Sequence, residues 1–326
     1  MDRTRPESIG VDIGGSKVLA VRLTPDGAIA ATCKLATPPE AAALVERVLD
    51  AAAQVMERSP AGYLPLGVGC PGMVDRDGRA QFSPNLHGVD GFDLHSELAA
   101  GRPRGSVTLV LNDATAACWA EQELGAARGA DDVVMVAMGT GIGGGMVLGG
   151  RLVEGAHGFA GEVGHMVVAP HGPPCPCGKR GCWERFASGS GLARLAQEAA
   201  LAGRAPRVSV LAGGDPEAVR SEHLVKAAEE GDAGALAVID EFAWWLALGL
   251  ANLANALDPS VIVLGGGLAE AGELFIGPVR SAFGGLVEAP AARRVEIVLA
   301  RFGERSGAVG AALLAGEKGT GPDQPG

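Results

Sequence analysis

At 326 residues the chain is longer than one average domain and long enough for two. Hydrophobic residues make up 47% and charged residues 20%, which suits a chain with a sizeable core and excludes extensive disorder. Lys and Arg number 27 against 38 Asp and Glu, and the net charge of −11 lacks the basic footprint of a nucleic-acid binder.

The first eight residues are short and polar, so no secretory leader is expected and a cytoplasmic location is the default. Residues 8–13 and 17–23 read as two strands joined by a Gly-Gly turn. Residues 38–57, rich in Ala with apolar residues at helical spacing, predict a helix. Short strands follow at 66–69 and 107–111, the second running into Asn112-Asp113 and a helix to about Leu124. The cycle then restarts: a strand over 132–138, a glycine turn, and a hairpin over 145–148 and 151–153. Helical segments begin near Ser190; a buried helix is expected at 246–257, strands at 261–264 and 295–300, and a small-residue helix at 307–314. The apolar stretch 242–257 carries Asn252 and Asn255 and is under 18 residues long, so a core helix is expected rather than a membrane span. The twofold hairpin-led pattern predicts two α/β halves flanking a cleft. The first covers 1–125 with the return of helix 304–316, the second covers 126–303, and a flexible tail follows at 317–326.

Three glycine turns stand at strand ends. Asp12-Ile-Gly14-Gly15-Ser16-Lys17 lets backbone amides approach a phosphate, with Lys17 adding charge and Asp12 able to hold magnesium through water; alone, it also fits a plain hairpin turn. Gly139-Thr140-Gly141-Ile-Gly143-Gly144 formally matches a dinucleotide fingerprint, which requires a helix at its last glycine. The residues that follow, Gly145-Met-Val-Leu148, read as a strand, so a second phosphate-gripping hairpin fits better. Gly265 and Gly266, after the 261–264 strand, form the third turn. No P-loop motif is present. Asn112-Asp113 fits a helix cap, and equally a carboxylate placed as general base toward a substrate hydroxyl.

Six cysteines are present, and three of them crowd together. His165, Cys175, Cys177 and Cys182, spaced by 10, 2 and 5 residues, make the donor set of a closed tetrahedral structural zinc site. Reactive or disulfide-linked cysteines are the alternative. Cys33, Cys70 and Cys118 read as buried small hydrophobes. Glu162 and Glu184 bracket the cluster, as ligands of sugar hydroxyls or as ordinary surface glutamates.

On these residues the chain resembles the ROK family (repressors, open reading frames and kinases) from Gly10 to about Ala315. The most specific stretch is Gly161-Glu-Val-Gly-His165 with Cys175-x-Cys-Gly-x-x-Gly-Cys-x-Glu184. The resemblance implies an actin-like ATPase fold of the hexokinase and ribonuclease H type, and ATP-dependent phosphorylation of a hexose, glucose foremost. It implies Asp113 as the base for the sugar 6-hydroxyl. Asn112, Glu162, His165 and Glu184 would hold the other hydroxyls, His165 binding zinc through one nitrogen and facing sugar with the other. Gly72 would line the sugar pocket, and Asn85 would reach the substrate from the loop beside it. ATP would lie on the turns at Gly14, Gly141 and Gly266 with magnesium bridging its phosphates, and a homodimer or homotetramer is implied. Two departures stand out: Ser16 where many members have Thr, and a loop over 83–92 without the Trp that many carry after Asn85-Leu86. The second points to substrate identity, leaving mannose, N-acetylmannosamine, fructose, allose or a cyclitol as alternatives to glucose. The family also holds sugar-responsive repressors; with the first phosphate turn at Asp12, no helix-turn-helix domain is expected ahead of it.

Overall fold

The computed structural model describes residues 5–56, 63–83, 86, 88–287 and 294–319. Two five-stranded sheets carry the fold, and their strand orders repeat. The first runs β3 (Ile29–Ala36), β2 (Lys17–Leu23), β1 (Ser8–Ile13), β4 (Leu66–Cys70), β7 (Thr108–Asn112). The second runs β10 (Arg151–Leu152), β9 (Ile142–Leu148), β8 (Val133–Met138), β11 (Val261–Gly265), β12 (Glu296–Leu299). In the first sheet β1–β2 and β2–β3 pair antiparallel while β1–β4 and β4–β7 pair parallel. The second keeps an antiparallel pair at one edge, β9–β10, and a parallel pair at the other, β11–β12. The sequence reading stopped the first hairpin at Leu23 and missed β3. That edge strand alternates, with Ile29, Ala31, Cys33 and Leu35 turned inward, but only Cys33 is buried and apolar Ala30 and Ala36 on the exposed face blur the signal.

The chain divides into two compact units, one formed by Met1–Met135, Gly145–Gly161 and Ala300–Gly326, the other by Val136–Gly144 and Glu162–Leu299. In the first unit the odd residues Ile9, Val11 and Ile13 of β1 face α1 (Ala41–Met56). That helix buries Leu44, Val48, Ala51, Ala52 and Val55 along one stripe. The small antiparallel pair β5 (Met73–Val74) and β6 (Ala80–Phe82) and the short α2 (Leu94–Ala100) complete this side. The opposite face carries α3 (Asp113–Glu123) and α10 (Ser306–Gly319).

Here the contact is backbone on backbone. A Cβ at Gly10 would lie 1.8 Å from the Ala308 carbonyl oxygen, and one at Gly67 would lie 1.9 Å from that of Ala311. Between the two helices, a Cβ at Gly310 would lie 1.7 Å from the Ala116 oxygen. The start of α10 is seated by Glu121, a fully buried carboxylate on α3. It accepts the backbone N–H groups of Ala126, Arg301 and Phe302 and the Ser306 hydroxyl, at 2.9–3.0 Å. Four donors satisfy the charge that burial would otherwise penalise. The last helix runs through Gly319, past the point where the tail was expected to begin.

The second unit is built on α4 (Glu184–Ala187), α5 (Gly189–Leu201), α6 (Pro206–Leu211), α7 (Ser221–Glu229), α8 (Ala233–Leu257) and α9 (Glu273–Leu286). The buried helix expected at 246–257 is the last half of α8, which begins where the Asp232 carboxylate caps the Ala235 N–H. This helix is long and apolar enough to cross a membrane, but half of that stretch is buried inside the protein. It packs against α4, α5, α7 and α9 as a core helix. The sequence reading also missed α9, which contains Pro278, a residue that ordinarily ends a helix.

Because α10 rests on bare backbone, Gly67→Ala is expected to destabilise the protein by about 3 kcal/mol, with no local relief possible. Urea denaturation of the two proteins measures this; a loss under 1 kcal/mol (roughly the size of an unremarkable surface change) would contradict the packing account.

Candidate active site

In the first unit two carboxylates converge where β1 and β7 end. Asp12 stands near the end of β1, and Asp113 opens α3 directly after β7. Gly69 on β4 lies between them: a Cβ there would come within 3.3 Å of both Asp12 Oδ1 and the Asp113 Cα. Gly307, in the first turn of α10, abuts the same oxygen, with 2.7 Å from its missing Cβ position. Asp12 Oδ1 is buried and has no hydrogen-bond partner. Burial therefore pushes the Asp12 carboxyl up to about 8, the Asp113 charge adds to the rise, Lys17 opposes it and Glu304 adds slightly. Asp113 is pushed up as well, chiefly by burial, while the Ala114 N–H, 2.8 Å from its Oδ1, pulls the other way. An orphaned carboxylate oxygen beside a second carboxylate is a site that a divalent cation would relieve, so Asp12 fits the magnesium ligand expected of it.

The 14–17 turn is closed by the Gly14 N–H on the Lys17 carbonyl at 2.8 Å and braced by the Thr37 hydroxyl on the Gly14 carbonyl at 2.7 Å. Gly15 and Ser16 at its tip are exposed. Lys17 and Lys34 both pair with the Glu304 carboxylate, on the turn before α10. Sequence reasoning missed Glu304 and Gly307, since nothing local marks a residue almost 300 positions away as part of the first turn. Asn112 does two jobs: its Oδ1 caps the Thr115 N–H at 2.8 Å, and its Nδ2 donates to the Gly72 carbonyl at 3.0 Å. Gly72 needs to be glycine, with φ +93° and its missing Cβ position 2.3 Å from the Phe82 oxygen. One N–H of the Asn112 amide stays available beyond these bonds. Asn85 lies outside the described residues.

In the second unit the four predicted metal donors come together, all within 4.8 Å of one another. Cys177 Sγ and Cys182 Sγ are 3.6 Å apart, and Cys175 Sγ and His165 Nδ1 are 3.8 Å apart. Ligand bonds of about 2.0–2.3 Å around a tetrahedral zinc give edges of about 3.5–3.8 Å, so the donor set fits that ion. The knuckle turns through Gly178 and Gly181, at φ +87° and +69°. It is anchored by the fully buried Trp183, whose indole donates to the Trp245 carbonyl at 2.8 Å and lies against Gly249 of α8. With Nδ1 in the cluster, His165 turns Nε2 toward Glu162, 3.7 Å away. Glu184 is mostly buried, its Oε1 3.1 Å from Cys175 Sγ and 3.7 Å from His165 Nδ1. The structure thus brings Glu162, His165 and Glu184 into one cluster.

The second glycine turn is shorter than expected. Gly139, Thr140 and Gly141 form it, while Gly143 and Gly144 already belong to β9. Gly266, at φ +83°, packs on Met138, its missing Cβ position 2.4 Å from that carbonyl oxygen. The second and third turns therefore meet at the end of β8.

Residues 8–318 match the ROK family. The chain belongs to the ROK family. Within it, the chain is 37% identical to a glucokinase of Streptomyces coelicolor, over 95% of this chain and 98% of that one. It is 35% identical to an N-acetylmannosamine kinase of Escherichia coli O157:H7, over 95% and 99%. The crystal structure of a ROK family glucokinase from Streptomyces griseus in complex with glucose and AMPPNP superposes with a TM-score of 0.83 at 38% identity, covering 95% and 99%. The fold is thus the actin-like ATPase fold of ROK family structures, with two α/β domains.

The raised Asp12 pKa has a stability consequence. Its carboxyl moves from 3.8 to about 8 on folding, so stability is full below about pH 4 and is lost as pH rises toward 8. Asp12→Asn removes the loss. In magnesium-free buffer its thermal midpoint should exceed that of the unaltered protein by more at pH 8 than at pH 5; an equal difference at both would refute the buried-charge assignment.

Proposed function

We infer that the chain is an ATP-dependent sugar kinase that transfers the terminal phosphoryl group of ATP to a hexose hydroxyl, with glucose to glucose 6-phosphate as the leading reaction. The observation that carries this reading is Asp113, a half-buried carboxylate at a strand end across Gly69 from Asp12, where desolvation raises its pKa toward the range in which it accepts a proton. Its Oδ1 is occupied by the Ala114 N–H, which leaves Oδ2 for the proton. As the sugar oxygen bonds to the γ-phosphorus, the bond from phosphorus to the ADP oxygen breaks and the hydroxyl proton passes to Asp113. Magnesium, when bound, neutralises phosphate charge, and Asp12 is the residue to hold it. The turns at residues 14–17 and 139–141, with Gly265 and Gly266, offer the phosphates backbone N–H groups; Lys17 adds a positive charge that Glu304 keeps in place.

In the second unit, Glu162, the Nε2 of His165 and Glu184 supply hydrogen bonds to the remaining sugar hydroxyls. His165, Cys175, Cys177 and Cys182 would hold zinc, and its binding would fix the imidazole so that its free nitrogen keeps one direction. Asn112 and Gly72 shape the sugar end of the first unit, and Asn85 belongs with them by resemblance. The glucokinase relatives favour glucose. The N-acetylmannosamine kinase relatives keep an amino sugar in view. The Trp-free loop over 83–92 is where the choice would be made. An ATP-consuming reaction suits the cytoplasm, and the exposed Trp244 and Leu236 of α8 give a homodimer or homotetramer an apolar face.

The test is ADP release with Mg-ATP against glucose, mannose, N-acetylmannosamine, fructose, allose and cyclitols. Turnover with at least one of these at ten or more times the sugar-free rate is expected, and no turnover with any would overturn the kinase reading. The purified protein should also carry about one zinc per chain. Cys177→Ser should lose the zinc and the ordered knuckle, weakening sugar affinity by at least tenfold; a zinc-free variant with unchanged sugar affinity would remove the metal from the account.

A further inference from the structure

Gly141 sits in the glycine turn assigned above to the phosphates, yet the group that fills the space beside its Cα is the sugar-side carboxylate. A Cβ at Gly141 would lie 2.6 Å from Glu184 Oε2 and 3.7 Å from its Cδ, and those are the contacts within 4 Å. The other carboxylate oxygen faces the metal donors, 3.1 Å from Cys175 Sγ and 3.7 Å from His165 Nδ1. Glu184 is therefore boxed between the cluster on one side and the bare face of the turn on the other, with a side chain only 15% exposed. The two segments are joined again nearby. The Gly189 N–H donates to the Gly139 carbonyl at 2.8 Å, and the Ser188 hydroxyl donates to the Glu184 carbonyl at 2.6 Å. Gly164, next to His165, closes against Ile142, its missing Cβ position 2.3 Å from that carbonyl oxygen.

We propose that Gly141 is a positioning residue for sugar binding: its lack of a side chain is what lets the Glu184 carboxylate reach the sugar hydroxyls. The proposal rests on Glu184 being a sugar ligand. Its physical content is separable from the nucleotide. Gly141 does not occupy the left-handed region, so alanine is conformationally permitted there. The atoms in its way are the end of a side chain rather than backbone, so the chain should fold with the carboxylate pushed aside. A displaced hydrogen-bonding carboxylate loses affinity steeply, because a charged acceptor no longer matches the hydroxyl it faces. The consequence is counterintuitive for a phosphate turn: an alanine there should weaken sugar binding when no nucleotide is present.

Calorimetric titration of the full chain with the best sugar of the panel, without nucleotide, tests this on four proteins: unaltered, G141A, E184D and the double variant. G141A is expected to weaken sugar binding by at least tenfold with bound zinc and circular dichroism unchanged. Glu184→Asp withdraws the carboxylate by one methylene and frees the space, so the double variant should bind within twofold of E184D alone. A G141A affinity within twofold of the unaltered protein overturns the proposal. So does a double variant that loses the full G141A factor again, because the effect then bypasses Glu184. If G141A alone is not recovered folded, the double variant decides: it must fold and bind like E184D, and its failure to fold would place the clash elsewhere. An unaltered protein that binds none of the sugars sinks the sugar reading and this inference together, whereas normal binding with an indifferent G141A sinks the inference alone.

Discussion

The close seating of α10 on the first sheet is the constraint on which the catalytic end of that unit depends. Gly10 and Gly67 provide a floor without side chains, and the helix backbone rests on it at distances that no Cβ would permit. That depth brings Gly307 against the Asp12 carboxylate and places Glu304 within reach of Lys17. Glu121 completes the arrangement from α3 by binding the backbone that leads into the helix. Glu121 thus ties α3 to the segment that enters α10, about 180 positions along the chain.

The same close packing sets the electrostatics of two carboxylates. Asp12 and Asp113 are held together in a place that water solvates poorly, so both carboxyls rise, and one oxygen of Asp12 is left without a donor. Such an arrangement is costly unless something offsets it. On the function proposed here, a cation would offset it at Asp12 and a transferred proton would offset it at Asp113. In the second unit His165, Cys175, Cys177 and Cys182 are gathered within 4.8 Å of one another, and a metal is what such a donor set would take.

Much of this was legible in the sequence, for physical reasons. The repeated hairpin-led pattern predicted two α/β halves, and the two sheets share one strand order. The His165 and cysteine spacings predicted a cluster, because a metal knuckle is closed by short local turns that sequence spacing encodes directly. What escaped were features made by distant contact. Edge strand β3 alternates, but Ala30 and Ala36 on its exposed face blur the signal, α9 runs through Pro278, and the expected helix at 246–257 covers only the last half of α8. Glu121 and Glu304 look like surface glutamates until the fold brings α10 across the sheet. In sequence Gly141 reads as a phosphate contact, and its approach to Glu184 depends on where the cysteine knuckle folds back.

The central claim is transfer of a phosphoryl group to a sugar hydroxyl with Asp113 taking the proton. Phosphorus NMR of Mg-ATP with the preferred sugar tests it most directly, comparing the unaltered protein with Asp113→Asn. The account predicts a new sugar phosphomonoester signal that grows in step with ADP. In the variant that signal should be slowed by at least a thousandfold (about 4 kcal/mol of barrier) while sugar binding persists. ADP accompanied by inorganic phosphate alone, or a variant that forms the sugar phosphate at a near-normal rate, would contradict it.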